Sequence, residues 1–187
     1  SKFSLKFAVQ RVHPFLHLTN QLMKTKSIFV ILYSLASAVA SAQLQTTIKC
    51  PVISIDLLDG IVNKELVPTS TVGQIKLHLP GFTSFEEEGT TAKCGAGVFY
   101  KDNDVYFYTT RNYIEIGPNF KGRLSLPLLG APRSSLFKLL GSPSIKDISW
   151  DAFQTAYGIL ILHYNGSGKV NKIQFSKESA STIKLCE

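Results

Sequence analysis

The alternation of apolar and polar positions is clearest between residues 157 and 176, where two apolar runs flank a polar turn. The first run is Ile-Leu-Ile-Leu, and the second carries Val170, Ile173 and Phe175. Between them stands Asn-Gly-Ser-Gly at 165–168, where glycine supplies the positive φ that tight turns need and asparagine tolerates it. This pattern predicts a β-hairpin.

Three more runs of aromatic and β-branched residues lie between residues 97 and 117, with the sequences GVFY, VYFYTT and YIEIG. Polar residues separate them at 101–104 and again around Arg111 and Asn112. Short apolar runs with such turn signals between them are typical of antiparallel strands. We therefore predict a three-stranded meander.

Two segments have apolar residues at helical spacing. The segment VGQIKLHL places Val72, Ile75 and Leu79 on one face, follows three residues that can act as N-caps, and ends at a Pro-Gly pair. The segment SLFKLL has three leucines on one face, within 136–140, and ends at Gly-Ser-Pro. Each pattern predicts a short helix that precedes a strand-rich segment.

The order of elements suggests a duplication, with repeat units at about 69–117 and 132–176. The glycine that ends the first helix, Gly81, is matched 60 residues later by Gly141. Neither unit can bury its helix face alone, so we expect an α+β fold in which two helix, loop and antiparallel meander or hairpin units share one core. The alternative is a chance echo, because most matched residues are glycine or apolar.

Residues 23–42 have the three parts of a secretory signal peptide. Two lysines form its positive start, residues 28–39 form an apolar core of 12 residues, and Ala-Ser-Ala at 40–42 is a cleavage signal. A membrane span needs about 20 apolar residues, so this core is too short to be one. The pattern predicts a secreted or periplasmic protein with one mature domain at 43–187 and no membrane span after cleavage.

Residues 1–22 precede Met23, which we interpret as the initiator. On this interpretation, the first segment is upstream sequence from a reading frame assigned too long. The interpretation also changes how the net charge of +7 is understood, since five of the 20 basic residues and no acidic ones precede residue 43. The mature domain carries 15 basic and 13 acidic residues, which does not indicate a nucleic-acid partner.

Three cysteines, Cys50, Cys94 and Cys186, fall in the predicted exported part, where disulfides are stable. A bridge between Cys50 and Cys186 would close the largest loop, which the loop-entropy argument favours. The alternative pairs Cys94 with one of the other two and leaves a free thiol. No two cysteines are close in sequence and this part has only two histidines, His78 and His163, so we expect no metal site.

The second half of the chain carries three short motifs: LLGSP at 139–143, YGILILHY at 157–164 and GKVNKIQFS at 168–176. Together they resemble the repeat of small envelope proteins of the BamE and SmpA type and of the β-lactamase-inhibitor-like fold. The whole chain also resembles exported proteins of Bacteroidetes-type bacteria. These resemblances cover the second half well and the first in outline, and they imply a periplasmic scaffold or binder that has no cofactor and is not an enzyme.

The aromatic residues of the predicted meander are the candidate binding site. Tyr106 and Tyr108 should face the same side of their strand, with Arg111 at the next turn and Tyr113 after it. Tyrosine and arginine anchor many protein interfaces, so we expect this surface to bind another protein or an envelope component. The expectation requires an exposed, contiguous surface, whereas tyrosines covered by the helices would be ordinary strand formers.

Two other functions remain open from the sequence. A thiol-dependent hydrolase would use Cys94 and His163, which must then lie within hydrogen-bond reach. An inhibitor-like protein held rigid by one disulfide is the other alternative. The consecutive residues Glu86, Glu87 and Glu88 predict a solvated loop surface and not a catalytic carboxylate pair.

Overall fold

The computed structural model describes residues 49–87, residue 89 and residues 93–186. The interpretations of residues 1–22 as an upstream extension and of 23–42 as a signal peptide lie outside the described residues. The described residues belong to one compact unit. Its fold is α+β with mostly antiparallel strands, as the sequence predicts.

The described residues contain two α-helices, α1 at Val72–His78 and α2 at Leu136–Leu140. They also contain three short 3-10 turns. The strands in chain order are β1 Ser54–Asp56, β2 Ile61–Val62, β3 Ser84–Glu86, β4 Gly97–Tyr100, β5 Val105–Tyr108, β6 Tyr113–Ile116, β7 Arg123–Leu124, β8 Ile145–Lys146, β9 Trp150–Gln154, β10 Ile159–Tyr164 and β11 Val170–Ser176.

The strands form a small sheet and a large one. The small sheet has the order β2-β1-β7, with β1 antiparallel to β2 and parallel to β7. The large sheet has eight antiparallel strands in the order β3-β4-β5-β6-β11-β10-β9-β8. It contains both the predicted meander and the predicted hairpin, and the pairing of Ile114 with Phe175 between β6 and β11 helps to join them into one continuous sheet.

Helix α1 begins with a capping box. The Thr71 hydroxyl accepts from the backbone N–H of Gln74, and the Gln74 side chain accepts in return from the Thr71 N–H. These two bonds satisfy N–H groups that have no partner within the helix. On the apolar face, Ile75 and Leu79 are fully buried, and the Tyr100 hydroxyl donates to the Leu79 carbonyl at the end of the helix.

Helix α2 differs from the prediction in its apolar face. Leu136 is fully buried, but Leu139 is 47% exposed and Leu140 is half-buried. The helix has five residues and ends at Gly141, which adopts a φ of +75°. A helix of this length completes little more than one turn, so it does not hold all three leucines against the core.

The large sheet has two faces with different surroundings. We call the side packed against α1, α2 and the small sheet the first face, and the opposite side the second face. The first face contributes most of the main core, with side chains from Val98, Tyr100, Val105, Phe107, Ile114, Ile116, Phe153, Leu160, Leu162, Val170, Ile173 and Phe175.

The second face carries a smaller apolar cluster formed by Ala152, Ile159 and Ile161. Residues from the C-terminal segment, which we define as residues 177–186, pack against this cluster. This segment has no helix or strand of its own. No helix in the described part of the chain has the length and hydrophobicity that a membrane span requires.

Candidate binding surface

The predicted alternation along β5 is confirmed. Val105 and Phe107 are buried in the main core, whereas Tyr106 and Tyr108 lie on the second face and are half-buried. Leu136 packs in the core on the other side of the sheet, so it does not cover these tyrosines. Tyr106 and Tyr108 therefore both reach the surface of the molecule.

Phe99 lies between these two tyrosines and supports them. Its ring centroid is 6.1 Å from that of Tyr106 and 5.5 Å from that of Tyr108. Tyr106 is the direct cross-strand partner of Phe99, a position from which aromatic pairs stabilise antiparallel sheets. The sequence analysis missed Phe99, because its role depends on the register between β4 and β5.

Tyr113 is not part of an exposed surface, contrary to the sequence-based expectation. It is fully buried, and its ring stacks on that of Tyr108 with a centroid distance of 4.6 Å. Its hydroxyl accepts a hydrogen bond of 3.1 Å from the backbone N–H of Cys186. The C-terminal segment therefore covers this end of the tyrosine row.

Arg111 is also engaged within the molecule. Its guanidinium group donates to the carbonyl oxygens of Leu185, at 3.0 Å, and of Cys94, at 3.2 Å. Longer bonds of 3.4 Å reach the carbonyls of Lys184 and Lys93. Arg111 thus links the β5–β6 region to the C-terminal segment.

The disulfide joins Cys94 to Cys186, which are separated by 92 residues, and Cys50 is a free thiol. Of the two pairings that the sequence left open, the structure therefore has the one with Cys94 as a partner and not the one from Cys50 to Cys186 that closes the largest loop. Cys50 packs against the main core on the first face, whereas Cys186 lines a cleft on the second face. The large sheet separates these two cysteines, and loop entropy cannot overcome that separation.

The disulfide also bears on the hydrolase alternative. The Cys94 sulfur is bonded to Cys186, so it is not a thiol that could act as a nucleophile in this form of the protein. His163 places its Nε2 2.7 Å from the side-chain oxygen of Gln174. The contacts of both residues are thus accounted for by the packing of the second face.

A polar row crosses the second face beside the apolar cluster. Gln174, which is almost fully buried, donates from its amide nitrogen to Glu115 at 2.6 Å. Because a carboxylate only accepts, the amide oxygen of Gln174 must point the other way, and Nε2 of His163 carries the proton shared with it. Lys172 forms an ion pair with Glu115 at 3.8 Å.

A cleft of about 590 Å³ lies between the C-terminal segment and the second face. Its walls combine the small apolar cluster, the polar row and the segment itself. The lining residues that define these walls are Trp150, Ile161, His163, Gln174, Ile183 and Leu185. A cleft of this size with mostly apolar walls and a few convergent polar groups has the usual features of a binding site.

The two surface tyrosines stay protonated at neutral pH. Burial raises the pKa of Tyr106, and the nearby Asp104 carboxylate raises it further. Burial, with added repulsion from Glu115, raises the pKa of Tyr108 to about 12. Both hydroxyls therefore keep their proton, and that of Tyr106 donates it to Asp104 over 3.2 Å.

Within the described residues, no group of three or more histidine, cysteine or acidic side chains is arranged to hold a metal ion. A scan against protein-family models, a search of curated proteins and a search of solved structures found no match to this chain. The resemblance to BamE-type repeats and to the β-lactamase-inhibitor-like fold stays a prediction. Arguments about function therefore rest on the geometry of the second face.

Proposed function

We propose that this protein is an exported, non-enzymatic binding or assembly module of the cell envelope, and that its partner is a protein that docks on the second face. The observation that carries the proposal is the pair Tyr106 and Tyr108, half-exposed on the second face and supported by Phe99. Tyrosine combines a large apolar ring with a polar tip at a low cost in conformational entropy.

The charges around the tyrosines favour a basic surface on the partner. The carboxylate of Asp104 lies next to the Tyr106 hydroxyl, and Glu115 and Glu86 act electrostatically on Tyr108. A lysine or arginine from a partner would be attracted by these carboxylates and can lie over a tyrosine ring. The site therefore suits an interface patch that combines apolar side chains with at least one cation.

The proposal includes the duplicated architecture. Each helix is followed by four strands of the large sheet, β3 to β6 after α1 and β8 to β11 after α2, with β7 of the small sheet between the two sets. The two sets of strands meet through β6 and β11, the last strand of each. This symmetric order supports two units that share one sheet, an arrangement whose broad surface suits a scaffold or an inhibitor-like binder.

The proposal also includes export through the signal peptide at 23–42, which gives a secreted or periplasmic protein. The bond between Cys94 and Cys186 supports it, because disulfides persist in oxidising compartments. The same bond weighs against the thiol-dependent hydrolase, since it removes the only thiol considered as a nucleophile.

Site-directed photo-crosslinking in the native host tests the proposal. A crosslinking amino acid at Tyr106 of the full-length precursor should give one adduct with a protein, and the matched control at Leu58 should not. Leu58 is 50% exposed but lies in the β1–β2 turn, away from the second face. A Tyr108→Ala substitution should weaken the Tyr106 adduct about tenfold or more, as expected for a central tyrosine. Equal adducts from both sites, or none from Tyr106, would overturn the proposal.

A further inference from the structure

The C-terminal segment is held on the second face by two polar ties at Arg111 and Tyr113, and by a covalent one. Arg111 donates to the Leu185 carbonyl, and the Tyr113 hydroxyl accepts from the N–H of Cys186. The disulfide to Cys94 then fixes the same end covalently. The segment, which has no helix or strand, is thus fastened near Cys186, next to the row of tyrosines, and a bond of 3.2 Å from Asn112 to Glu178 holds it near its start.

The segment also makes apolar contacts with the second face. Ile183 and Leu185, two residues apart, pack with Ala180 against the small cluster that includes Ile159 and Ile161. These side chains occupy part of a concave surface, and the remaining space is the cleft of about 590 Å³. The segment therefore fills only part of a groove on the second face.

Near the disulfide, the polar contacts to this occupant are made with its backbone, whereas near its start Asn112 donates to the Glu178 side chain at 3.2 Å. Arg111 contacts the carbonyl oxygens of Lys184 and Leu185, and Tyr113 contacts a backbone N–H. Among the contacts near the disulfide, only those of the Ile183 and Leu185 side chains depend on the shape of the side chain. Another extended peptide with aliphatic residues at alternate positions would make the same contacts, because every peptide offers the same backbone groups.

We propose that the C-terminal segment is a disulfide-locked strap, and that reduction of the bond between Cys94 and Cys186 frees the groove for an extended aliphatic peptide of a partner. The proposal rests on the proposed function for the role of the second face. It adds the chemistry of the bound segment and the means by which access to it is controlled.

The chemical step is a thiol–disulfide exchange with a dithiol reductant. A thiolate of the reductant attacks Cys94 or Cys186 and forms a mixed disulfide, and its second thiolate then releases the cysteine. The reductant is oxidised to a disulfide, and the protein takes up two electrons and two protons to give two thiols. Both cysteines are half-exposed, so the bond is open to attack.

Once the covalent tie is broken, weaker contacts alone hold the strap. Hydrogen bonds to Arg111 and Tyr113 and the packing of Ile183 and Leu185 remain, and the conformational entropy that the released segment gains opposes them. We therefore expect the reduced strap to leave the groove for a measurable fraction of the time. The eight-stranded sheet should remain folded, because its main core lies on the first face.

Trp150 provides the first test, because it is the only tryptophan of the chain and lines the cleft. Acrylamide quenching of its fluorescence should rise at least about twofold when the full-length exported protein is reduced, as expected for local opening. A Cys94→Ser and Cys186→Ser double variant should show the higher quenching without reductant. A Cys50→Ser variant, the matched control, should behave as the unaltered protein in both states.

Hydrogen exchange in the same samples distinguishes strap release from unfolding. Backbone N–H groups of β10 and β11 should stay protected after reduction, while those of the strap lose protection. If the quenching does not change on reduction, or if the strap and the sheet lose protection together, the strap does not open as a unit and the proposal is wrong.

A peptide probe tests the identity of the occupant. A fluorescent peptide with the sequence of residues 179–187 and serine in place of its cysteine should bind the reduced protein at least about tenfold more tightly than the oxidised protein, because the unlocked strap leaves the groove open for part of the time. A control peptide with Ile183→Asp and Leu185→Asp should not bind. Equal binding of the two peptides, or no binding to the opened protein, would overturn the assignment.

The outcomes remain separate from those of the crosslinking experiment. A strap that opens and takes the peptide while Tyr106 gives no adduct would contradict the proposed function only. An adduct at Tyr106 together with a strap that stays in place after reduction would contradict the present proposal only.

Discussion

Gly60 lies against the ring of Tyr157, so closely that a Cβ on Gly60 would lie 2.6 Å from Cδ2 of the tyrosine. The Tyr157 hydroxyl donates to the carbonyl of Leu57 at 3.0 Å, across 100 residues of sequence. The same ring makes an edge contact with Phe175 at 6.3 Å. Tyr157 thus links the β1–β2 turn to the hairpin of β10 and β11 in the large sheet.

We expect Gly60→Ala to destabilise the protein by about 2–4 kcal/mol, because the new methyl group must displace the ring and because Gly60 has a φ of +68°. Gly130→Ala is the matched control, since Gly130 has a φ of +78° but no atom near its missing Cβ. Backbone strain alone should cost the control about 1 kcal/mol. Urea unfolding measures both values, and equal losses would show that the contact with Tyr157 is unimportant.

A second prediction concerns the ion pair between Arg133 and Asp151. Asp151 is almost fully buried and accepts from both the guanidinium group and the Tyr164 hydroxyl, the latter at 2.6 Å. Its replacement in Asp151→Ala leaves both donors without their acceptor. We expect a loss of about 2–3 kcal/mol, below the ~3–5 kcal/mol of a fully buried pair, because the Arg133 side chain is 27% exposed.

Thermal or urea unfolding checks this value, with Asp102→Asn as the control. Asp102 is exposed in the turn between β4 and β5, so its change should stay within about 0.5 kcal/mol. A loss of less than 1 kcal/mol for Asp151→Ala would mean that water replaces the carboxylate as the partner of Arg133.

The parts of the fold that the sequence predicted are those decided by neighbours in sequence. The hairpin ending at Ser176 has its turn residues and apolar runs within one short stretch, and α1 has its cap and its Pro-Gly stop directly beside it. Tyr106 and Tyr108 could likewise be assigned to one face from alternation alone. The geometry of these elements follows from local rules.

The parts that were missed depend on contacts between distant segments. Tyr113 and Tyr108 are both tyrosines in predicted strands, so the sequence does not distinguish them. Tyr113 is buried because the C-terminal segment crosses over it. The pairing of Cys94 with Cys186 depends on which face of the sheet that segment follows. The only signal that the sequence offers for the pairing is the length of the loop that each disulfide would close. This length does not show which face of the sheet the C-terminal segment follows.

A third prediction follows for the cysteines. Protein purified from its native host without a reductant and then alkylated should carry one label, located at Cys50 by peptide mapping. A cross-linked peptide should contain Cys94 and Cys186. Burial raises the pKa of the Cys50 thiol, so labelling at pH 7 should be slow and should speed up on unfolding. A label on Cys94 with Cys50 in the bridge would contradict the structure.

Alkaline pH provides the last prediction, because buried tyrosines resist ionisation. The pKa of Tyr108 is raised to about 12, chiefly by burial, and burial also raises the pKa values of Tyr100, Tyr113 and Tyr157. Each group is neutral when protonated, and its folded pKa lies above the value of about 10 in the unfolded chain. The folded state therefore holds more tyrosine protons above pH 10, so the contribution of these tyrosines to the free energy of unfolding should be constant from pH 7 to 9 and fall as the pH rises through 10 toward 12.

Urea unfolding between pH 7 and 11.5 measures this dependence, with absorbance at 295 nm to follow tyrosinate formation. A Tyr108→Phe variant removes one of the responsible groups and should show a shallower decline above pH 10. One proton accounts for at most about 1.4 kcal/mol per pH unit, and the difference should be smaller than this because Tyr108 is half-exposed and solvent screens its charge. Tyrosines that ionise freely near pH 10 in the folded protein would show instead that the C-terminal segment and the sheet leave these rings open to water.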